Sequence, residues 1–256
     1  MCTVVILIRP GHDWPLIIAA NRDELIERPS QPPAAHWPDR PGLIAGRDAL
    51  AGGTWLGINE FGLIAGILNR KGSLGPMDGF RSRGELPLEA LDHADAEAAA
   101  EALAGIEPAS YRPFNMVIAD NRDAYWLRLA EDHGGGEDGG GVRVSALPPG
   151  LSMITSGERN DTSQPRIRTY LPQFHKASPP NPENGDYTAW QRLLGARIHD
   201  QRAGSEGAMC IATERGFATV SSSLIALPAP GRGGGKPRWL FCPGSPDEAE
   251  YAAIEL

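Results

Sequence analysis

The sequence has few cysteines and histidines and no long apolar run. Its 256 residues include three cysteines and six histidines, without a CxxC pair or an HExxH motif. This scarcity argues against a disulfide framework and a structural zinc site, and we expect neither a metal nor a cofactor. No stretch approaches the roughly 18 apolar residues of a spanning helix, and the N-terminus lacks the pattern of a signal peptide. We therefore expect a cytoplasmic protein without a membrane span.

Positive charge is also scarce. The 24 Lys and Arg residues against 32 Asp and Glu give a net charge of −8, which offers no electrostatic basis for binding nucleic acid or an anionic membrane. The glycine-rich stretches 134–141 and 231–235 lack the spacing of a phosphate-binding loop and predict flexible connections. With 41% hydrophobic residues the chain can bury a sizeable core. No clear boundary interrupts it, so we expect a single domain over residues 1–256.

Short apolar segments joined by tight turns predict β-hairpins. The predicted hairpins pair 3–8 with 16–20, 55–58 with 63–68, 114–119 with 124–129, and 208–213 with 217–223. Repeated hairpins indicate antiparallel sheets. Helical patterns lie between them at 82–104, 163–174 and 187–198, with Ser82 as a candidate N-cap and Asp95 as the candidate cap of a separate second helix. Sheets with intervening helices predict an α+β layered fold.

Cys2 stands directly before the first apolar run. If Met1 is removed, this one residue holds both a thiol nucleophile and an α-amine, which titrates at roughly 7.7 to 8.0 and can act as a base near neutral pH. The alternative is a small buried thiol without chemistry. Thiolate character, rather than the presence of cysteine, decides between the two.

Four polar residues, Asn21, Arg22, Asp23 and Glu24, follow the second strand of the first predicted hairpin. The end of that strand lies beside the start of the first strand, which places the cluster near Cys2. An arginine and carboxylates there can hold the α-amine, orient the thiol and favour its thiolate. A polar strand end with a surface ion pair is the alternative reading.

Several segments together carry a resemblance to a known family. They are Met1-Cys2-Thr3, Ala20-Asn21-Arg22-Asp23-Glu24, Gly53-Thr54-Trp55-Leu56-Gly57-Ile58-Asn59, Gly62, Asn69 and Ser82-Arg83-Gly84. This combination resembles the NRDE family, which includes the eukaryotic transport-and-Golgi-organisation proteins and many bacterial relatives. That family is similar to N-terminal nucleophile hydrolases and, more distantly, to penicillin V acylase and bile salt hydrolase. The resemblance implies a four-layer αββα sandwich, in which two antiparallel sheets lie between helical layers.

The resemblance to the acylases also implies residue roles. Cys2 matches their nucleophile, and Asn69, at the end of the second hairpin, matches a residue of their oxyanion region. Arg22 and Asp23 lie where the acylases place an arginine and an aspartate, although the spacing differs and leaves open which of Arg22, Asp23 and Glu24 takes each role. We count these as catalytic candidates: Cys2, Arg22, Asp23 and Asn69.

The remaining candidates are binding residues: Asn21, Glu24, Trp55, Ser156 and Asn160. Ser156 occupies the position nearest to a further oxyanion asparagine of the acylases, and Asn160 would need a different loop path to reach it. Val220 stands where many relatives carry an arginine, so a fixed donor fork is missing from the expected pocket. Arg215, Arg166 or Arg168 are the candidates that could replace it in space.

Two functions remain open. The first is a cysteine N-terminal nucleophile hydrolase that cleaves a non-peptide C–N amide, or a thioester, of a small molecule through an acyl-enzyme on Cys2. The second is a carrier that binds haem or an acyl lipid in the same pocket without chemistry, because the eukaryotic relatives are linked to haem handling and lipid homeostasis. A carrier keeps its ligand when Cys2 is mutated, whereas a hydrolase loses covalent labelling.

Overall fold

The computed structural model describes residues 2–130, 141–231 and 235–256. Nearly all of the predicted flexible segment 134–141, and residues 232–234 of the second glycine-rich stretch, lie outside the described residues. Contacts group the chain into two compact units. The first unit runs to Arg28 and resumes from Pro148 to Leu256, and the second runs from Pro29 to Leu147. The single domain over 1–256 stays a prediction.

Most of the described elements are strands. In chain order they are β1 (Thr3–Ile8), β2 (Leu16–Leu25), β3 (Ser30–Ala34), β4 (Ile44–Asp48), β5 (Leu56–Ile58), β6 (Ile64–Asn69), β7 (Phe114–Ala119), β8 (Ala124–Leu129), β9 (Arg143–Ala146), β10 (Gly150–Ile154), β11 (Phe217–Leu227), β12 (Arg238–Cys242) and β13 (Ala252–Ile254). The helices are α1 (Glu85–Ala90), α2 (Ala96–Ala104), α3 (Pro165–Lys176) and α4 (Thr188–Leu194), with short 3₁₀ turns at Pro108–Ser110 and Ser205–Gly207.

Each unit contains one antiparallel sheet. The first unit has the strand order β10-β1-β2-β11-β12-β13, and the second has β3-β4-β5-β6-β7-β8-β9. Among the described residues, no helix combines the length and the apolar character that crossing a membrane requires.

In the first unit, α3 packs against β10 and α4 packs against β2. Alternation along the strands turns Ile17 and Ala19 of β2 towards these helices, into one cluster with Phe174 and Trp190. The rings of Phe174 and Trp190 meet edge to face with centroids 5.2 Å apart. The same alternation decides which polar residues at the end of β2 face the helices.

In the second unit, α1 and α2 cover a core that includes Leu63, Phe114 and Leu103. Asn59, at the turn between β5 and β6, ties the sheet to the end of α1. Its amide nitrogen donates to the carbonyls of Leu91 at 3.0 Å and His93 at 2.7 Å. The sheet that carries Asn69 is therefore tied to the end of α1 by the side chain of Asn59.

The first three predicted hairpins are confirmed, with β2 extended to Leu25 because residues 21–25 continue to pair with β11. The predicted strand 208–213 is wrong, since the backbone N–H groups of Met209 and Cys210 both donate to the carbonyl of Ala196 instead of a neighbouring strand. The helix predicted over 82–104 divides in two, and Asp95 caps the second part by accepting from Ala98 N at 2.8 Å. The N-cap prediction for Ser82 is wrong, because α1 begins at Glu85 after Gly84.

Candidate functional site

Cys2 lies immediately before β1 at the edge of its antiparallel pairing with β2. The register joins Thr3 to Asn21, and one further step places Cys2 opposite Arg22. Cys2 is partly exposed as a residue, and its thiol donates a weak hydrogen bond to the backbone carbonyl of Asp23 at 3.6 Å. The structure therefore brings the predicted nucleophile to the end of β2, as the hairpin argument expected.

A set of polar side chains lies near Cys2 at this end of the sheet. The register of β2 with β11 joins Arg22 to Ser221, and both are buried. Strand β10 lies on the other side of β1, and its Ile154 pairs with Val4. Ser156 follows two residues after Ile154. It therefore lies beside the start of β1, close to Cys2 in the chain register. Because side chains alternate along strands, Arg22 and Ser221 belong to the face of the sheet away from α3 and α4.

Asp23 points to the opposite, helix-covered face, where a buried network receives its carboxylate. Arg166 on α3 donates from Nη1 to Asp23 Oδ2 at 2.8 Å, in an ion pair whose side chains are 3% and 0% exposed. The same Nη1 donates to Thr3 Oγ1 at 2.8 Å, and Nη2 donates to the carbonyl of Glu206 at 3.0 Å. Thr219 Oγ1 donates to Asp23 Oδ1 at 2.7 Å. Both carboxylate oxygens of Asp23 are thus engaged.

Local sequence features explain how this network forms. Pro165 starts α3, and Arg166 then lies on the buried stripe that continues through Ile167 and Tyr170. On β11, a bulge between Thr219 and Ser221 leaves Val220 without a partner on β2. The bulge keeps Thr219 opposite Asp23 and Ser221 opposite Arg22. Val220 is the position at which the resemblance had implied an arginine.

The electrostatics at Cys2 have opposing contributions. Burial raises the pKa of the Cys2 thiol, and the negative charge of Asp23 raises it further. The positive charge of Arg22 acts in the other direction and lowers the same pKa, but its effect is smaller. The thiol is therefore predominantly protonated near neutral pH, so attack on a carbonyl requires a base that removes the proton.

Asn21 faces the helices and serves as a structural tie. Its Nδ2 donates to the carbonyls of Leu194 at 2.9 Å and Met209 at 3.0 Å. Both amide hydrogens are thereby used to join β2 to the end of α4 and to the segment that precedes β11. This placement separates Asn21 from Arg22, which lies on the other face.

Glu24 and Asn160, two predicted binding residues, also contact neighbouring parts of the chain. Glu24 lies 3.8 Å from Arg28 in an ion pair, and its Oε1 accepts from the backbone N–H of Leu25. Asn160 has a φ of 56° and its Oδ1 accepts from Met153 N at 2.7 Å. The side chain of Asn160 thus completes the hydrogen bonding along the free edge of β10.

Trp55 and Asn69 belong to the second unit. The indole of Trp55 covers Gly46, where an added Cβ would lie 2.3 Å from Cζ2. Asn69 is the last residue of β6, in register with Phe114, and is partly exposed. Their predicted roles in binding and in the oxyanion region stay predictions.

Thr219 is absent from the candidates predicted from the sequence, and Arg166 appears there only as one of three possible replacements for the missing arginine. Arg166 and Thr219 lie 143 and 196 positions from Asp23, so no local spacing connects the three. A signal existed in the helical pattern, because a buried arginine on an apolar stripe needs an anionic or carbonyl partner. Within residues 2–130, 141–231 and 235–256, no group of three or more His, Cys, Asp and Glu side chains is arranged to hold a metal ion.

The chain is similar to solved structures of two acylases. The Caenorhabditis elegans ortholog of N-acylethanolamine-hydrolyzing acid amidase has a TM-score of 0.56 and 12% identity, covering 90% of this chain and 94% of the other. Penicillin V acylase from Agrobacterium tumefaciens has a TM-score of 0.51 and 14% identity, covering 94% of this chain and 83% of the other. Together with the two antiparallel sheets, these similarities confirm the predicted fold class, that of the N-terminal nucleophile hydrolases.

Sequence comparison finds a second group of relatives. The Transport and Golgi organization protein 2 homolog of Homo sapiens is 36% identical over 129 residues, and that of Mus musculus is 35% identical over 127 residues. Each match covers 47% of this chain and 45% of the relative, so the matched part spans about half the length of these curated relatives. The family model described as Transport and Golgi organisation 2 matches residues 1–196.

Proposed function

We propose that this chain, which belongs to the Transport and Golgi organisation 2 family, is a hydrolase whose nucleophile is the thiol of Cys2. One observation carries the proposal: the thiol stands at the head of β1, 3.6 Å from the carbonyl of Asp23 and in register with Arg22. A thiol placed at a strand end beside an arginine has the surroundings of a nucleophile more than those of an inert core residue.

The proposed reaction begins once Met1 has been removed and the backbone nitrogen of Cys2 has become a free α-amine. The amine takes the thiol proton while Sγ attacks the substrate carbonyl carbon, forming a C–S bond and an oxyanion. Collapse of the oxyanion breaks the C–N bond, and the proton passes from the ammonium to the leaving amine. Water then attacks the thioester, so that the acid is released and the thiol is restored.

The electrostatics of Cys2 support a mechanism with an amine base. Because burial and Asp23 raise the pKa of the thiol, a stored thiolate is not favoured at neutral pH. An α-amine with a pKa of roughly 7.7 to 8.0 can remove the proton during attack. Processing of Met1 and activation of the thiol are therefore the same event in this proposal, and a chain that retains Met1 is inactive.

For the substrate we propose a small molecule with a non-peptide amide or a thioester. The names of the structural neighbours describe enzymes that act on N-acylethanolamines and on penicillin V, and both compounds join an acyl group to nitrogen. The net charge of −8 adds no attraction for anionic polymers.

Turnover of a matched substrate panel tests the proposal. The panel contains an N-acylethanolamine, a penicillin V-type amide and an acyl thioester, and product is measured by mass spectrometry. Cys2→Ala and an N-terminal extension that keeps Cys2 inside the chain should each abolish turnover, whereas Cys210→Ala, which alters a thiol that is 1% exposed, should retain it. Full turnover by the extended protein would defeat the mechanism.

A carrier of haem or an acyl lipid, which needs no thiolate at Cys2, is the second candidate. A thiol that stays protonated suits a binding pocket as well as an enzyme that awaits processing. The carrier predicts saturable binding of haem or of an acyl lipid that survives Cys2→Ala, without turnover. Absence of binding in titrations followed by haem absorbance and by calorimetry would count against it.

A further inference from the structure

We propose that Arg166 is a positioning residue for Cys2, acting through Asp23. Its guanidinium holds the Asp23 carboxylate on the helix-covered face, so that the carbonyl of Asp23 meets the thiol while the positive charge of Arg166 offsets part of the carboxylate's charge. The inference deepens the proposed hydrolase function and takes its catalytic meaning from it.

The backbone and the side chain of Asp23 contact different groups. The backbone carbonyl of Asp23 accepts from Cys2 Sγ at 3.6 Å, whereas its carboxylate extends to Arg166 at 2.8 Å. Arg166 also donates to Thr3 at 2.8 Å, the residue directly after Cys2. One buried guanidinium therefore fixes both chain segments that place the thiol: the start of β1 and the end of β2.

The position of Arg166 is itself fixed. Its side chain is 3% exposed, and Nη2 donates to the Glu206 carbonyl at 3.0 Å. Thr219 holds the second oxygen of Asp23 and accepts from the backbone N–H of Ile211 at 2.9 Å. With donors fixed on two sides, the carboxylate has no freedom to turn towards the thiol.

The charge of the pair matters for Cys2 because the thiolate is also negative. The negative charge of Asp23 opposes ionisation of the thiol even with Arg166 in place, and the guanidinium 2.8 Å from the carboxylate offsets part of that charge. Among the remaining groups, Arg22 on β2 is paired with Ser221 on β11, Tyr170 on α3 is close to Arg166, and Glu24 pairs with Arg28. Of these, Arg22 is the charged group that favours the thiolate.

Two single substitutions should therefore move the reactivity of Cys2 in opposite directions. Arg166→Met leaves the Asp23 charge without its counter-ion, so the pH of half-maximal alkylation should rise by roughly one unit, with a rate about tenfold lower on the rising limb. Asp23→Asn removes the opposing charge while Arg166 stays, so that pH should fall. Combining both substitutions should return the profile most of the way to that of the unmodified chain.

The assay is alkylation by iodoacetamide across a pH series, quantified by mass spectrometry on the peptide that contains Cys2. All variants carry the same Met1 status, checked by intact mass, and Cys210 and Cys242 on other peptides serve as internal buried thiols. Arg166→Lys keeps the charge but not the several donors of the guanidinium, so it should shift the profile less than Arg166→Met does. It also provides a folded comparison if Arg166→Met is too unstable, because breaking a buried pair costs about 3–5 kcal/mol.

Alkylation needs no turnover, so this test is separate from that of the hydrolase function. Opposite shifts in the two single variants without hydrolysis of any substrate would support the role of Arg166 and reject the catalytic one. An unchanged profile in both variants, or shifts in the same direction, would overturn the inference. A purely structural role for Arg166 predicts lower thermal stability with no change in the profile.

Discussion

Substituting Thr219 with valine tests the network that holds Asp23. The hydroxyl donates to Asp23 Oδ1 at 2.7 Å and accepts from Ile211 N at 2.9 Å, and the residue is 2% exposed. Valine keeps the shape but removes a hydrogen bond to a charged group, worth about 1.5–3 kcal/mol, and leaves a buried N–H without its acceptor, at about 1–3 kcal/mol. Because the two effects share one atom, we expect a loss of about 3 kcal/mol in the free energy of unfolding.

Thr219→Ser is the matched control, since it keeps the hydroxyl and removes one methyl group, at about 0.8 kcal/mol. Urea unfolding followed by tryptophan fluorescence should therefore separate the two variants by about 2 kcal/mol. Thermal melting should place the valine variant about 6–12 °C below the unmodified protein, from the 2–4 °C per kcal/mol expected at this chain length. Equal stability of the valine and serine variants would refute the assignment of both hydrogen bonds to the hydroxyl.

Three further predictions concern other parts of the chain. Asn59→Ala removes two hydrogen bonds to α1 and its following turn and two acceptor contacts within its own turn, so urea unfolding should show a loss of about 2–4 kcal/mol. Gly46→Ala places a Cβ 2.3 Å from the Trp55 ring and should cost about 1–3 kcal/mol, whereas Gly105→Ala, with its nearest atom at 3.6 Å, should be nearly neutral in the same melting assay. Desolvation raises the pKa of Asp247, but hydrogen bonds from Arg197, Ser245 and Cys210 outweigh it and lower the pKa below its usual range. The ionised carboxylate therefore stabilises the folded protein above the unfolded pKa of roughly 3.9, and this stabilisation is lost as the pH falls. Asp247→Asn should therefore be less stable at pH 7, and a difference that fails to shrink below about pH 4 would contradict this.

The sequence predicted the parts of the fold that depend on neighbours in the chain. The β1–β2 hairpin follows from two apolar runs and a short turn, and it placed Cys2 beside the end of β2 correctly. The segment 208–213 reads as a strand for the same reason, yet Met209 and Cys210 donate to Ala196. An apolar run does not reveal which backbone groups will be its partners.

The positions of the polar side chains at residues 21–24 could be predicted only in part from the sequence. Strand alternation divides these residues between two faces, so Asn21 and Asp23 meet the helices while Arg22 lies on the other side. The register across the bulge at Val220, and the meeting of Asp23 with Arg166, depend on the order of strands in the sheet. Neither could be read from local spacing, because the partners are 143 and 196 positions away.

The most direct test of the central claim is intact-mass spectrometry before and after exposure to a cysteine-directed acylating probe, with Cys2→Ala as the control. The account predicts a mass without Met1 and a single adduct that maps to Cys2 and is absent from the control. A retained Met1 with no adduct on Cys2 would contradict it.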